Sequence, residues 1–531
     1  MKTRSEVSAD KLRGGFYSPD QLVDVCLDRV LDLLDGRDRV AVLEPSAGDG
    51  GFIRGLRRHP VASLVSTVTA VEFAPAEATK ARNTLIDSGF AGQVVNDSAL
   101  NPAAVKELHD VAVGNPPFVR FQFVSNTDRD HADELGRRIG VSFTGVSNLW
   151  IPVFLSALSN LRNGGVFSFI VPAECFTGLS GQAVRGWLAN HATQLRVDLF
   201  PPRSFPKVLQ EVIVLSGQVS RGSSYGAKVY VHDHGINDSW HHVLEENTTT
   251  WTGLLLRPEH VAAFVEARTA DGVRQFSDVA KLSVATVTGA NDYFCVSDST
   301  RRTYDLVEWT RPLLDRVRHA PGLIYGPADH EVNVIAGRPA WLVDSSLSST
   351  TTLGAESYIA VGEASSLHTR YKTRIRSPWW RVPVVSPGTL MLSKRSNHYP
   401  RLIRNAADVV TTDTVYQGSP LAAFKGRERD IVGSFHNSLT LLTAEMFGRS
   451  FGGGVLELVP SETARLLLPL VPINDDDFKQ LDALVRGTNE PEDVVDATDR
   501  LLAKKLNVDT TIWQLVRDAR RMLRDRRLAR N

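Results

Sequence analysis

Cysteine is scarce in this chain, and long apolar runs are missing from it. The three cysteines, Cys26, Cys175 and Cys295, lie far apart among 531 residues. This spacing excludes a paired metal-binding or disulfide motif and fits a reducing cytoplasm. No segment approaches the roughly 20 consecutive apolar residues of a membrane span, and the stretch from Met1 to Arg13 has no apolar centre of a secretion signal. We therefore predict a cytoplasmic protein without a membrane partner.

Net charge is also absent, because Lys plus Arg and Asp plus Glu each number 60. A nucleic-acid surface must then come from charge that is segregated along the chain. From Ala364 to Arg404 there are nine Lys or Arg and no Asp or Glu, with aromatic residues between them. Basic and aromatic residues on strand-like segments favour contact with DNA phosphates and grooves, although a solvated basic face is the alternative. The residues predicted to bind DNA are Arg370, Lys372, Arg374, Arg376, Lys394, Arg395, Tyr399 and Arg401.

Short apolar runs alternate with helical patterns through the first 220 residues. The runs at Val65 to Val71 and Val166 to Val171 predict buried strands, and the apolar stretch from Leu149 to Leu161 predicts a helix that stops at Asn163-Gly164-Gly165. The polar stretch from Ser125 to Arg138 predicts a surface loop. Such alternation indicates an α/β fold with a doubly wound, Rossmann-like, mostly parallel sheet whose ligand crevice lies at the carboxyl ends of the strands.

Four of the predicted strands end in polar residues. The first leads into Glu44-Pro45-Ser46-Ala47-Gly48-Asp49-Gly50, where Gly48 and Gly50 permit close backbone approach to a nucleoside cofactor. The next two lead into Glu72, which suits a ribose diol, and Asp97, which suits an adenine amine. Glycine turns of this kind also bind dinucleotides and phosphates, and a carboxylate after the second strand also fits NAD. The fourth strand end decides between these cofactors.

That fourth strand ends in Asn115-Pro116-Pro117-Phe118. An exocyclic amine on a base is a poor nucleophile because its lone pair is delocalised, so acceptors for its hydrogens would help it react. The Asn115 side-chain oxygen and the Pro116 carbonyl supply two acceptors, the prolines fix the backbone, and Phe118 offers a stacking face. A simple turn after a strand is the structural alternative. In combination, the strand ends predict a methyltransferase that acts on a planar amino nitrogen.

These motifs, preceded by Phe16-Tyr17-Ser18-Pro19, resemble the gamma-class (TaqI-like) DNA adenine-N6 methyltransferases of restriction-modification systems. The resemblance implies S-adenosyl-L-methionine as cofactor, and a helix follows at Asp20 to Leu34, with Ser18 or Asp20 as its cap. The family usually has Tyr where this chain has Phe118, and both rings stack. Phe205 matches the family's second stacking aromatic, although a core aromatic is the alternative reading.

The implied site has two parts. Asn115, Pro116, Pro117, Phe118 and Phe205 would hold and orient the target adenine. The cofactor pocket would consist of Tyr17, Ser18, Pro19, Glu44, Pro45, Ser46, Ala47, Gly48, Gly50, Glu72, Asp97 and Asn115. No metal is expected, because His232, His234, His241 and His242 lack a clear ligand arrangement.

The resemblance also implies a domain order. We expect a methyltransferase domain at residues 1–250, an α+β DNA target-recognition domain at 251–475 and a helical segment at 476–531. Double-stranded DNA is the expected partner, a separate restriction endonuclease is a further one, and the protein is expected to be a monomer. The alternatives are an RNA guanine-N2 or protein-glutamine methyltransferase, and a catalytically inactive DNA-binding specificity protein.

Overall fold

The computed structural model describes residues 18–144, 148–176, 181–201, 204–205, 211–221, 226–244, 250–451, 453–488, 490–506 and 508–529. Within these ranges the chain separates into two compact units at Pro258. The predicted three-part division stays a prediction, and the helices after residue 475 belong to the second unit. No helix in the described ranges is long and apolar enough to cross a membrane.

The described part of the first unit is built on one nine-stranded sheet. Its strands are β1 (Val40–Glu44), β2 (Val65–Val71), β3 (Gly92–Val95), β4 (His109–Gly114), β5 (Leu161–Pro172), β6 (Ala192–Leu199), β7 (Val212–Val219), β8 (Lys228–Asp233) and β9 (Asp238–Val243). The strand order is β3-β2-β1-β4-β5-β7-β6-β8-β9. The five neighbouring strands β3, β2, β1, β4 and β5 pair in parallel. Strand β7 is antiparallel to its two neighbours, β5 and β6. The sheet is thus mixed, and its parallel part from β3 to β5 agrees with the predicted doubly wound, mostly parallel sheet.

Helices connect these strands and cover both faces of the sheet. They are α1 (Asp20–Leu33), α2 (Gly51–Arg58), α3 (Pro75–Ser88), α4 (Asn126–Ile139), α5 (Trp150–Ser159) and α6 (Gln182–His191). Two apolar clusters form the core, and α5 is buried along its whole length because its residues are nearly all apolar. A polar helix such as α4 buries only Ala132, Leu135 and Gly136.

Three local predictions are wrong. The segment predicted as a loop after Ser125 is helix α4, whose first turn is capped by the Ser125 hydroxyl, which accepts from Asp128 N at 3.1 Å. The stretch around Gly164 does not end a helix but lies within β5, which already begins at Leu161. Neither Ser18 nor Asp20 caps α1, since Pro19 takes the N-cap position and there is no side-chain capping hydrogen bond.

The second unit is α+β and contains several small sheets among its described residues. Its strands are β10 (Val273–Gln275), β11 (Ala280–Ser283), β12 (Cys295–Val296), β13 (Thr310–Leu314), β14 (Ile324–Tyr325), β15 (Trp341–Val343), β16 (Leu390–Ser393), β17 (Arg395–Ser396), β18 (Leu402–Asn405), β19 (Val410–Thr411), β20 (Val415–Pro420), β21 (Arg449–Phe451), β22 (Val455–Glu457) and β23 (Leu467–Pro469). The largest sheet has the order β11-β20-β16-β18-β14.

Helices pack around these sheets and make up most of the C-terminal region. They are α7 (Pro258–Ala267), α8 (Asn291–Phe294), α9 (Asp298–Thr303), α10 (Pro327–Ile335), α11 (Leu353–Ala364), α12 (Tyr371–Arg374), α13 (Glu428–Phe435), α14 (Ser438–Phe447), α15 (Pro460–Thr463), α16 (Asp475–Gly487), α17 (Pro491–Ala503) and α18 (Thr510–Leu528). The amphipathic helix α18 packs against α14 with Trp513, Val516 and Leu523 buried.

Candidate functional site

The sheet order brings the predicted polar strand ends to one edge. β3, β2, β1 and β4 are adjacent and parallel, so their carboxyl ends point the same way. Glu44 ends β1, and Glu72, Asp97 and Asn115 follow β2, β3 and β4 within two residues. These four residues lie far apart in the sequence, and parallel pairing is what gathers them at the crevice that a doubly wound sheet uses for ligands.

The turn after β1 keeps its shape through glycine. Gly48 and Gly50 adopt positive φ angles of +55° and +87°, a region that other residues enter only at a cost. A Cβ atom on Gly50 would lie 2.8 Å from Thr84 Cβ, whereas one on Gly48 would meet nothing within 4 Å. Gly50 is therefore needed for close packing of the turn on α3, and Gly48 leaves open space beside the backbone where a cofactor can approach.

Glu72 ties this turn to the neighbouring strand. Its two carboxylate oxygens accept hydrogen bonds from Gly48 N at 2.9 Å and from Ala74 N at 2.8 Å. Burial raises the pKa of Glu72, and the two backbone bonds act in the opposite direction. A carboxylate held in this way keeps a fixed orientation and retains acceptor lone pairs for a diol.

Glu44 lies deeper, at 2% exposure. Its Oε2 atom has no hydrogen-bond partner among the residues that the structure describes. Burial, followed by the nearby charges of Glu72 and Asp49, raises the pKa of Glu44 well above its ordinary value. A buried carboxyl oxygen without a partner is costly in a folded protein unless a ligand completes it, so Glu44 marks the floor of a polar binding site.

Asn115 connects three segments of the predicted site. Its Nδ2 donates to Ser18 Oγ at 3.2 Å, and its carbonyl oxygen accepts from Ser46 Oγ at 3.2 Å. These bonds join the segment before α1, the glycine turn and the Asn-Pro-Pro-Phe tetrapeptide. The remaining atom, Oδ1, is buried and has no partner within the described part of the chain. Since Nδ2 is already engaged, the free group at this position is an acceptor.

The two predicted stacking rings border the same core. Phe118 and Phe205 are partly buried, and both pack against the apolar cluster that contains Val113, Phe200 and Val212. The backbone after Phe118 is held by the residue that precedes α5, since Leu149 N donates to Val119 O at 2.8 Å. Both rings therefore have support on one side and some exposed surface on the other.

Other predicted pocket residues take different positions. Asp97 turns towards its own loop, where Ser98 N and Asn101 Nδ2 donate to its carboxylate at 2.6 Å and 2.8 Å. Pro45, Ser46 and Ala47 form the glycine turn, and Pro19 stands at the start of α1. Tyr17 lies outside the described residues, as does Pro206 after Phe205.

Phe73 is a candidate that the sequence reading missed. It follows Glu72 directly and its side chain is 70% exposed, which is unusual for a large aromatic residue beside a strand end. Asn96 Nδ2 holds the local backbone by donating to the carbonyl oxygens of Glu72 and Phe73 at 2.8 Å and 3.0 Å. An exposed ring held next to a predicted ribose-binding carboxylate offers a flat face for a nucleoside base. The sequence signal for this candidate was a large apolar residue, Phe73, directly after the polar residue that ends a strand.

The basic segment of the second unit separates into exposed and engaged residues. Arg370, Lys372 and Arg374 are exposed at helix α12, so the expectation of strands is wrong for residues 371–374. Arg376 donates to the carbonyl oxygens of Val287 and Thr288 at 2.7 Å and 2.8 Å. Its guanidinium is thus committed to the fold.

The residues further along this segment are more strongly engaged. Arg401 donates to the carbonyl oxygens of Ala320 and Gly322 at 2.9 Å and 2.8 Å. Arg395 pairs with Glu457, and burial raises the pKa of Tyr399 to about 12. The structure thus gives Arg401 and Tyr399 places within the fold. Among the predicted DNA contacts, Arg370, Lys372, Arg374 and Arg395 are exposed, and Lys394 is half-buried.

The residues at the first unit's crevice fit S-adenosyl-L-methionine. A glycine turn with open space at Gly48, an oriented carboxylate at Glu72, an exposed ring at Phe73 and the unpartnered oxygens of Glu44 and Asn115 provide complementary groups for a ribose, a base and a positively charged amino acid moiety. The fold and the arrangement of these groups are those expected of an S-adenosyl-L-methionine-dependent methyltransferase.

Comparison with known proteins refines this class. The family model described as "Eco57I restriction-modification methylase" matches residues 76–203, and the model "Type II methyltransferase M.Eco57I, C-terminal domain" matches residues 248–503. The chain is 20% identical over 503 residues to the Type II methyltransferase M.AccI of Acinetobacter calcoaceticus, which covers 89% of this chain and 90% of that protein. It is also 23% identical over 188 residues to M.HincII of Haemophilus influenzae, covering 35% of this chain and 33% of that protein.

A solved structure supports the same architecture. The Type IIL restriction-modification enzyme MmeI, determined in complex with DNA, aligns with a TM-score of 0.57 and 12% identity over 98% of this chain and 77% of that chain. At this identity the likeness concerns the fold. The two family matches and the similarity to M.AccI confirm the predicted resemblance to the gamma-class DNA methyltransferases of restriction-modification systems.

Removal of the Glu72 carboxylate should weaken cofactor binding. In Glu72→Ala, Gly48 N and Ala74 N lose their acceptor. The pocket also loses the carboxylate that is predicted to bind the ribose diol, so we expect the Kd for S-adenosyl-L-methionine to rise at least about 10-fold. Isothermal titration calorimetry measures this change. Asp87→Ala, an exposed change on the neighbouring helix α3, is the matched control. A Kd for Glu72→Ala that equals the control value would remove Glu72 from the pocket.

Proposed function

We propose that the protein is a site-specific DNA adenine-N6 methyltransferase and the modification part of a restriction-modification or phage-defence system. Its substrate would be one adenine turned out of duplex DNA, with S-adenosyl-L-methionine as the methyl donor. The observation that carries the proposal is the buried Oδ1 of Asn115 at the carboxyl end of β4, which has no hydrogen-bond partner among the described residues. The side-chain Nδ2 and the backbone carbonyl oxygen of Asn115 are bonded to Ser18 and Ser46.

The unpartnered oxygen is suited to an amine. N6 of adenine carries two hydrogens, and Asn115 Oδ1 would accept one while the Pro116 carbonyl accepts the other. Both acceptors draw the amine nitrogen into a fixed orientation and counter the delocalisation of its lone pair into the ring. Because Asn115 Nδ2 donates to Ser18 Oγ, the amide cannot rotate without losing that bond. The site therefore presents an oxygen, rather than an NH₂ group, to the substrate.

The cofactor supplies a methyl group on a sulfonium, which is already a good leaving group. Asn115 and Pro116 would hold N6 in line with that group, so catalysis would rest on positioning and on favourable electrostatics rather than on a strong base. The surplus proton on N6 would leave after transfer. Phe118 and Phe205 would stack on the two faces of the base and keep it in the plane that this geometry requires.

Extrusion of the adenine costs a few kcal/mol of stacking and pairing. Contacts with the duplex would offset this cost, and we assign them to the second unit, within the proposed target-recognition domain at residues 251–475. Arg370, Lys372 and Arg374 are exposed at α12 and free for phosphate contact. The DNA bound in the MmeI structure supports DNA as the partner, and we propose that it is double-stranded. A separate endonuclease partner and a monomeric state remain part of the proposal.

Loss of the second stacking ring should impair base extrusion. In Phe205→Ala, an extruded base would lose one stacking face, which is worth about 1–3 kcal/mol. The fluorescence rise of 2-aminopurine at the target position should therefore fall strongly, while the Kd for S-adenosyl-L-methionine stays within about 2-fold. An unchanged fluorescence rise would show that Phe205 does not contact the base.

The exposed basic residues should determine the salt dependence of DNA binding. Replacement of Arg370, Lys372 and Arg374 by Ala together should lower the slope of log Kd against log salt by about 2 to 3, because each phosphate contact contributes about 0.9. Fluorescence anisotropy at several salt concentrations measures the slope. Arg376→Ala serves as the comparison, because the Arg376 guanidinium is bonded to backbone carbonyl oxygens rather than exposed for phosphate contact. This variant should leave the salt slope close to that of wild type. An unchanged slope in the triple variant would move the DNA surface away from α12.

A further inference from the structure

A polar network lies at the carboxyl end of β6, outside the residues assigned to the cofactor or the base. Its centre is Asp198, which is 1% exposed. Arg29 of α1 donates to both carboxylate oxygens, through Nε at 2.9 Å and Nη2 at 2.6 Å. His234 Nε2 lies 2.9 Å from Asp198 Oδ1 and donates to it. Burial alone would raise the pKa of Asp198, but the bonds from His234 and Arg29 outweigh it and hold that pKa below its ordinary value.

His234 is fixed at two points. It follows β8, and its backbone N donates to Leu199 O at the end of β6 at 2.9 Å, while its imidazole is oriented by the bond to Asp198. The imidazole face lies flat against the ring of Phe200, with centroids 4.8 Å apart and planes at 6°. A doubly anchored histidine of this kind makes a rigid, flat support.

The Phe200 ring also contacts the ring of Phe205. Their rings meet edge to face, with centroids 5.3 Å apart and planes at 74°. A continuous series of contacts thus runs from Arg29 through Asp198, His234 and Phe200 to Phe205. Phe205 is the ring proposed to stack on the extruded adenine, so the series ends at the base-binding part of the site.

We propose that His234 is a positioning residue for Phe205 and thereby for the extruded base, an inference that rests on the proposed function. Asp198 and Arg29 hold the imidazole of His234, and the imidazole holds the ring plane of Phe200 by stacking. The Phe200 ring in turn restrains the orientation of the Phe205 ring through their edge-to-face contact. A stacking ring held in one orientation loses little freedom when the base arrives. His234 acts through Phe200 and needs no contact with the substrate.

The geometry favours this role over metal binding. In the described ranges no group of three or more His, Cys, Asp or Glu side chains is arranged to hold a metal ion. The second histidine, His232, meets His234 edge to face at 4.3 Å, and its Nδ1 lies 2.7 Å from Ser239 Oγ. In His234, Nε2 bonds to Asp198 and orients the ring, and the ring face packs on Phe200.

The test uses the full-length protein and a duplex with 2-aminopurine at the target position, which is mapped first by sequencing methylated DNA. In His234→Ala we expect the fluorescence rise to approach that of Phe205→Ala, and kcat for DNA methylation to fall about 10-fold, because small displacements of a positioned group reduce rate strongly. The Kd for S-adenosyl-L-methionine should change by less than about 2-fold, which reports an intact cofactor site.

Three further variants sharpen the result. His234→Phe keeps a flat face against Phe200 and should retain part of the fluorescence rise. Asp198→Asn preserves shape but weakens the anchor of the imidazole, so it should shift the response in the same direction as His234→Ala and provides a second route if that variant does not fold. His241→Ala removes an exposed histidine from the adjacent strand β9 and should behave as wild type.

The outcomes separate the inference from the proposed function. A wild-type fluorescence rise in His234→Ala and Asp198→Asn, together with a lost rise in Phe205→Ala, would overturn the role of His234 and leave the proposed function standing. No fluorescence rise with the wild-type protein would overturn base extrusion itself, and with it the inference. A graded loss in the order His241→Ala, His234→Phe, His234→Ala would support the positioning role.

Discussion

Asn115→Ala should reduce kcat for methyl transfer by at least about 100-fold, because it removes the acceptor that orients the substrate amine. The same change deletes the bond to Ser18 Oγ but leaves the backbone bond from Ser46 in place. The Kd for S-adenosyl-L-methionine should therefore remain within a few-fold of wild type. Single-turnover methylation with labelled cofactor measures the rate, and calorimetry measures the Kd.

The control is Asn83→Ala, which removes an exposed Asn from helix α3 and should leave both quantities unchanged. The contrast between rate and affinity is the informative part of this experiment. An equal loss of cofactor affinity and rate would indicate that Asn115 mainly supports the pocket. Near-normal turnover in Asn115→Ala would refute its proposed role in orienting the amine.

Arg527→Ala should produce the largest loss of stability among the changes considered. The Arg527 guanidinium is buried and pairs with Glu445 through Nε at 2.8 Å and Nη2 at 2.6 Å. It also donates to the carbonyl oxygens of Asn397 and Gly454. Removal of one partner of a buried ion pair costs about 3–5 kcal/mol because the other charge stays buried without compensation.

This loss should appear first in the second unit. Thermal unfolding of the full chain should begin roughly 10 °C lower, and hydrogen exchange should accelerate in peptides from α18 and α14. Arg500→Ala removes an exposed Arg from α17 and should stay within about 0.5 kcal/mol of wild type. Equal unfolding temperatures for the two variants would show that the buried pair does not hold α18 in place.

The sequence predicted the first unit well because its signals are local. Strand β2 is predicted residue for residue at Val65–Val71, and the strand predicted at Val166 to Val171 lies within β5. Apolar runs of strand length, each followed by a polar residue, are sufficient for a parallel sheet, since such strands are buried on both faces. The predicted crevice at the carboxyl ends of the strands then placed Glu44, Glu72 and Asn115 at one edge, whereas the order of the strands comes from the structure.

The errors arose where tertiary contacts decide. Helix α4 has only three buried residues, so its apolar period is too weak to detect, and its Ser125 cap was the signal that went unused. We predicted one DNA-binding surface from the basic segment at Ala364 to Arg404, because a sequence does not show which arginines donate to backbone carbonyl groups. Arg376 and Arg401 bond to carbonyl oxygens that lie far away in the chain. Phe73 went unnoticed because exposure of a single ring depends on the completed crevice.

The central claim is best tested by one transfer assay. Purified protein is incubated with labelled S-adenosyl-L-methionine and unmethylated genomic DNA, the DNA is digested to nucleosides, and the labelled nucleoside is identified by mass spectrometry. RNA and total protein are offered in parallel reactions. We expect label in N6-methyladenine of DNA with the wild-type protein and its loss with Asn115→Ala. Label in RNA or protein alone, or no label in any reaction, would contradict it.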